Sequence, residues 1–221
     1  MLGVLNKLIN SKLTVVWVMI QFCFVIILVG YLNPGYSHIH QAISELGAPN
    51  ANYAWITRWF GFIPLGIGFI LFAFKVQGQF TGRLPFILFL ITGVAIVAAG
   101  VFPTDPNGRR DTFSGMAHAV AGIILLFMLS LTPLTLSIPT LYRHPPQRGL
   151  LVFSLVMGIL VLAFFIMLPN GMSPQLVGFH ERILGDYFEI WYPMHGLHQR
   201  LLLGIYFIWL LVFVRYSPFA S

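Results

Sequence analysis

The sequence predicts an all-α, polytopic integral membrane protein: one six-transmembrane-helix bundle with both termini cytoplasmic. Three observations predict it. Of 221 residues, 58% are apolar and only 8% are charged. Mean hydropathy is +0.86. Six apolar runs approach the roughly 20 residues that a helix needs to cross a hydrocarbon core. An ordinary soluble domain carries roughly 25% charged residues, so this composition excludes a cytosolic enzyme, a secreted disulfide scaffold and a disordered chain. The lone cysteine, Cys23, excludes an internal disulfide. The net charge of +6 is not gathered into a stripe, so it reads as membrane topology and not as a nucleic-acid surface.

The spans fall at roughly Leu13–Leu32, Trp55–Val76, Leu84–Phe102, Phe113–Leu136, Gly149–Leu168 and Leu197–Val214, forming a single domain over residues 1–221. The first follows Lys7 and Lys12 and has no small-residue cleavage site, so a retained signal anchor is expected. The outward-running spans one, three and five exit through Asn33-Pro34-Gly35, Pro103-Thr104-Asp105-Pro106-Asn107-Gly108 and Pro169-Asn170-Gly171, which is helix-stop chemistry. Between spans five and six, Leu176, Phe179, Ile183, Tyr187 and Trp191 recur at near-helical spacing. An interfacial amphipathic helix is expected there, over about 174–191, as an anchor or a lid.

Orientation follows from the basic residues. With the N-terminus inside, the cytoplasmic segments carry Lys7, Lys12, Lys75, Arg83, Arg143, Arg148 and Arg215 and no acidic residue. The opposite side carries Arg58, Arg109, Arg110, Arg182 and Arg200. Seven against five in short loops predicts a cell-membrane protein whose polar side faces the periplasm or exterior. On that side lie all six carboxylates, Glu45, Asp105, Asp111, Glu181, Asp186 and Glu189. It also holds six of the seven histidines, His38, His40, His118, His180, His195 and His198.

Depth then selects the candidate site. Helices rise about 1.5 Å per residue, which puts Arg200 about 22 Å from Arg215 and Arg58 about 25 Å from Lys75. Both arginines, with His118 and His198, therefore fall at the level of the outer leaflet. Ionisable groups at that depth usually face the bundle interior and mark function. The expected site is a polar layer of Arg58, His118, His198 and Arg200 capped by Asp105 and Glu45. Ser114 and His118 share a helix face. His195 and His198, three apart, are spaced so that both reach one metal ion, with His118 or Asp105 completing the set. More ordinary roles are also expected: Asp111 as the cap of span four, and Arg58 snorkelling beside Trp55 and Trp59. A short helix from Ser37 to Gly47 would hold His38 and His40 solvated or interfacial.

Four segments carry a family resemblance. They are Ile43-Ser44-Glu45-Leu46-Gly47-Ala48-Pro49, Val101-Phe102-Pro103-Thr104-Asp105, Gly115-Met116-Ala117-His118 and Gly196-Leu197-His198-Gln199-Arg200. In this order and membrane placement they resemble the prokaryotic membrane family catalogued as domain of unknown function 998, across nearly the whole chain. The matching polar positions are Ser44, Glu45, Asp105, His118, Gln199 and Arg200; His198 stands where the motif has an aromatic or apolar residue. A weaker likeness, of chemistry only, is to the alkaline ceramidase and adiponectin receptor membrane hydrolases. It rests on Ser114-x-x-x-His118, an acidic residue and paired C-terminal histidines. In that superfamily the Ser–His motif comes early in seven spans; here it lies on span four of six.

The leading functional expectation is a lipid- or ligand-binding or accessory membrane subunit, with Ser44, Arg58 and Gln199 as binding residues. Its partners would be membrane lipids, a membrane protein or a second copy. The alternative is a zinc hydrolase acting on a lipid or other amphiphile. Asp105, His118, His195 and His198 would supply its metal ligands, and the metal would deliver hydroxide near neutral pH. Glu45 would be its general base, Ser114 would stand in the catalytic set, and Arg200 or Arg58 would hold a phosphate or developing oxyanion. A transporter would need polar groups through the midplane, where this sequence is apolar. No phosphate-binding glycine loop or nucleophile elbow is present in the sequence.

Overall fold

The computed structural model describes residues 13–106, 110–167 and 194–217. Six long helices make up the described chain: α1 Thr14–Leu32, α2 Ala54–Gln79, α3 Leu84–Val101, α4 Phe113–Leu136, α5 Arg148–Met167 and α6 His195–Tyr216. All are long and apolar enough to cross a membrane, and the protein is a multi-pass membrane protein. The expected interfacial helix at 174–191, the Pro169-Asn170-Gly171 exit and the residues His180, Glu181, Arg182, Asp186 and Glu189 lie outside the described residues, as do Lys7, Lys12 and Arg109.

Each helix packs on the next in sequence, and α6 returns against α5. Helix α6 also closes the bundle. Its Phe207 meets Phe22 of α1 at 6.4 Å between ring centroids, and its Tyr206 stacks on Phe69 of α2 at 6.2 Å. Phe213 faces Phe89 of α3 at 6.4 Å, and the Trp209 indole N–H donates to Ser154 Oγ of α5 at 2.9 Å. Leu202, Tyr206, Trp209, Leu210 and Phe213 are fully buried as a result. Between lipid tails there is little hydrophobic drive for helices to associate, so close backbone approach does much of the work. Helices α2 and α3 use it: a Cβ placed on Gly66 would meet the Gly93 carbonyl, and one on Gly93 would meet the Gly66 carbonyl. The outward faces carry Phe24, Ile27, Val94, Ile123, Ile159 and Ile208, all about half exposed, as a lipid-facing surface requires.

At one end of the bundle the α2–α3 and α4–α5 connections are tied together. Phe80 and Tyr142 form an isolated antiparallel bridge, the one β pairing among the described residues. Thr81 N–H donates to Leu141 O at 2.8 Å and Arg143 N–H to Gln79 O at 2.9 Å. This end carries Lys75, Arg83, Arg143 and Arg148. The other end holds the connections that follow α1 and α3 and the start of α6. It carries the polar residues and is called the polar end below.

Two local features set that end's geometry. The chain leaves α1 through a β-turn closed by Tyr36 N–H on Asn33 O at 3.1 Å. Pro34 and Gly35 occupy its centre, where Gly35 adopts φ +80°, a conformation open to glycine at little cost. Helix α2 begins with a wide π turn over Thr57–Phe62, so that Ile63 N–H reaches back five residues to Arg58 O. The turn leaves the Phe60 carbonyl to accept the Gln21 side-chain amide of α1 at 3.0 Å. Such single-turn widenings inside α-helices are frequent at functional sites.

Candidate functional site

The polar end contains two separate constellations, each built from two of the four motif segments. The first surrounds the C-terminus of α3. A helix end leaves its last four carbonyls without intrahelical donors, and inside a bilayer no water satisfies them. Helix α3 has 18 residues, a rise of about 27 Å, a little short of a hydrocarbon core of about 30 Å. Its neighbours supply the donors. Arg58 Nε donates to Gly100 O at 2.9 Å and Arg58 Nη2 to Val101 O at 3.0 Å. The His118 Nδ1 lies 2.8 Å from Phe102 O and 3.1 Å from Ala99 O; both partners are carbonyls, so Nδ1 carries the proton. Ser114 Oγ donates to Pro103 O at 2.8 Å. Five consecutive carbonyls, Ala99 to Pro103, are covered by side chains of α2 and α4.

Asp105 completes this constellation by organising the start of α4. Its carboxylate accepts from Thr112 N–H at 2.9 Å and from Thr112 Oγ1 at 2.6 Å. Thr112 in turn accepts from Gly115 N–H at 3.0 Å and is the N-cap of α4. The expectation that Asp111 caps this helix is thus corrected: Asp111 is exposed and the cap lies one residue later. A threonine hydroxyl placed two residues before Ser114 reaches the amide at Gly115, a position the exposed Asp111 does not occupy. Gly115 is required here, because a Cβ would run into the Asp105 carboxylate.

The second constellation docks the start of α6 on the segment after α1. Arg200 Nη1 donates to Gln41 O at 3.0 Å and to Gly196 O at 2.7 Å, and Nη2 donates to Tyr36 Oη at 2.6 Å. Tyr36 Oη donates onward to Ala42 O at 2.9 Å. Ile43 N–H donates to Gln199 Oε1 at 2.8 Å, and Leu197 N–H to Ile39 O at 2.9 Å. Gly196 lies so close to Gln41 that a Cβ would overlap the Gln41 backbone carbonyl. The short helix expected from Ser37 is a single 3-10 turn, Ile43–Gly47. Ser37 instead closes a preceding turn, accepting His40 N–H on its hydroxyl at 3.3 Å. His40 is exposed, whereas His38 is half-buried, its ring against Gly30 and edge-on to Tyr36 at 5.2 Å.

Glu45 sits within that 3-10 turn. Its Oε1 accepts Ala42 N–H at 2.8 Å and its Oε2 accepts Gln41 Nε2 at 3.4 Å. His195 Nε2 stands 3.8 Å from Oε1. Burial works to raise the Glu45 carboxyl, but the neighbouring His195 and hydrogen bonds from Ala42 and Gln41 hold it below its ordinary value. Burial raises the Tyr36 phenol, and Arg200 opposes that rise. Burial lowers His38, and the Arg200 charge adds to it.

The expected layer is therefore present but divided. Arg58, Ser114, His118 and Asp105 belong to the α3 end; Glu45, Gln199, Arg200 and His195 belong to the α6 start, with Ser44 half-buried on the same 3-10 turn. His198 turns inward, its Nε2 2.8 Å from Phe164 O of α5 and its ring 4.8 Å from that of Phe164. Among the described residues, no three of His, Cys, Asp and Glu are grouped closely enough to hold a metal ion. Sequence reasoning missed Tyr36, Gln41 and Thr112. Thr112, directly before an apolar run and three before Gly115, carried a cap signal; Tyr36 and Gln41 carried none.

A shallow polar cleft of ≈ 170 Å³ opens beside this second constellation, with Asn33, Tyr36, Gln41, Glu45 and Asn50 in its wall. No curated protein and no solved structure matches the chain. Residues 16–216 match the family described as a protein of unknown function, DUF998. That match covers both constellations and all six helices, and the chain belongs to the domain of unknown function 998 family.

Proposed function

We propose that the protein is a non-enzymatic membrane subunit that binds a lipid or other small ligand, or supports a partner membrane protein, at its polar end. One observation carries this reading. Four side chains suited to chemistry, Arg58, His118, Ser114 and Arg200, each donate to a backbone carbonyl of a neighbouring element. They act as braces: Arg58, His118 and Ser114 hold the α3 end, and Arg200 holds the segment that walls the polar cleft. The basic residues at the opposite end support a topology with both termini cytoplasmic and the polar end facing the periplasm or exterior of the cell membrane. A C-terminal reporter active only in the cytoplasm should be active on this chain.

One observation favours the zinc hydrolase as a second reading. His118 and His198 are each anchored through one ring nitrogen to a backbone carbonyl, which is how ligating histidines are oriented. Elemental analysis of detergent-purified protein beside His118→Ala and His198→Ala decides between the two. The binding reading expects less than stoichiometric metal in all three folded proteins. Near-stoichiometric zinc lost in His118→Ala would overturn it in favour of the hydrolase. Co-purification of lipid or of a stable partner protein with metal-free chain is the positive result expected.

A further inference from the structure

The cleft beside Glu45 has a chemistry of its own. It lies where the chain leaves α1, between the Asn33–Tyr36 turn and the segment Gln41–Ala51. Exposed Tyr31, Tyr53 and Trp55 surround that level, the aromatic signature of a headgroup layer. Its volume of ≈ 170 Å³ leaves room for one small headgroup. Its wall offers acceptors. Both amide hydrogens of Asn33 are spent, on Val29 O and Asn52 O at 2.8 Å each, so Asn33 Oδ1 is left as an acceptor. The Glu45 carboxylate is held in place by Ala42 N–H and Gln41. No Lys, Arg or His lines the cleft among the described residues, although His195 Nε2 stands 3.8 Å from Glu45 Oε1. Arg200 lies behind Tyr36 with its guanidinium engaged by Tyr36, Gln41 and Gly196.

We propose that this cleft binds a small organic ammonium group, carried by an amphiphile headgroup or free in solution, with Glu45 as counter-charge and Asn33 as neutral acceptor. An ammonium donates three hydrogen bonds and needs acceptors only, which is what the wall provides. A phosphate or carboxylate would face the Glu45 charge with no Lys or Arg in the wall to offset it. The proposal rests on the ligand-binding reading above and names the ligand class and the place.

The test is native mass spectrometry of the full chain in detergent, offered equal amounts of phosphatidylethanolamine and phosphatidylglycerol with the same acyl chains. Wild type is expected to retain the ethanolamine lipid about tenfold over the glycerol lipid, the size of one charge-assisted hydrogen bond. Glu45→Gln keeps an oxygen for the Ala42 amide and should abolish the preference. Asn50→Lys, at an exposed wall position, places a tethered ammonium in the cleft and should abolish it as well, so the test survives a fold defect in Glu45→Gln. Displacement of the lipid by free ethanolamine identifies the same site. Ethanolamine binding that both variants remove, without lipid retention, supports the ammonium site with a free amine as its ligand. Equal retention of the two lipids with no ethanolamine binding, or a preference unchanged in Asn50→Lys, overturns the cleft proposal while the lipid-binding reading stands. Absence of any retained lipid, amine or partner protein overturns both.

Discussion

At the end of α3, five carbonyls are covered by side chains arriving from α2 and α4. At the start of α6, side chains leave the helix to grip a connecting segment. Both constellations pair two motif segments, and both rest on a glycine that admits the neighbour, Gly115 under Asp105 and Gly196 under Gln41. They differ in the alternative available when a bond is lost. The carbonyls at the end of α3 lie under the buried side chain of His118, and a buried polar group left unsatisfied costs several kcal/mol. A carbonyl of the segment after α1 lies beside a cleft that admits water, and water restores most of a lost hydrogen bond. The same residue types should therefore matter more at the first constellation than at the second.

Mutations test that ordering directly. The largest loss is expected for Arg58→Ala and for His118→Leu, each of which orphans two α3 carbonyls and should lower stability by about 3 kcal/mol. Thermal unfolding in detergent measures it; a shift no larger than that of Arg200→Lys would break the comparison. Gly196→Ala should follow at about 2 kcal/mol, because the docked segment must move away from α6 to clear the new methyl group. Arg200→Lys should cost about 1 kcal/mol, since a lysine cannot span Gln41, Gly196 and Tyr36 together. Combining Arg58→Ala with Arg200→Lys sharpens the picture. Separate constellations predict additive losses to within about 0.5 kcal/mol, and strong coupling would merge them into one unit.

The smallest effect is expected from pH at the second constellation. Glu45 is held below its ordinary value of 4.5 in the folded protein. Its contribution is complete above that value and fades as pH falls through the lower folded value. His38 is held below 6.5, so its contribution starts to fade as pH drops under 6.5. Acid should therefore loosen the grip of α6 on the segment after α1. Glu45→Gln should flatten the part of the stability profile below pH 4.5 and leave the His38 part in place.

The six helices were legible because apolar runs of membrane length announce themselves, and the polar end was legible because ionisable residues inside such runs are rare. Helix ends differed in detail: α2 begins at Ala54 and α6 at His195, since polar or glycine-bearing first turns such as His195-Gly196-Leu197-His198 fall outside a hydropathy window. The targets of the side chains were not legible. Spacing put His118 and Arg58 at one depth, but depth is silent on direction, and both point at α3. A clue was present in Phe102-Pro103, which ends an 18-residue helix early and so creates carbonyls that need donors. The pairing of motif segments was hidden for a different reason. Ile43 and Gln199 are 156 residues apart, and periodicity carries no information at that separation.

The wide turn at Thr57–Phe62 is a reserve of length. It holds one residue more than an α-helix would use for the same stretch. Losing one residue there lets the turn relax to α-helix while the helix on either side keeps its register. The regular turns that follow, Ile63–Val76, have no such slack. Each residue there turns the helix by about 100°, so a deletion between Ile63 and Val76 would swing Arg58 off α3 and carry the exposed Trp55 toward the bundle.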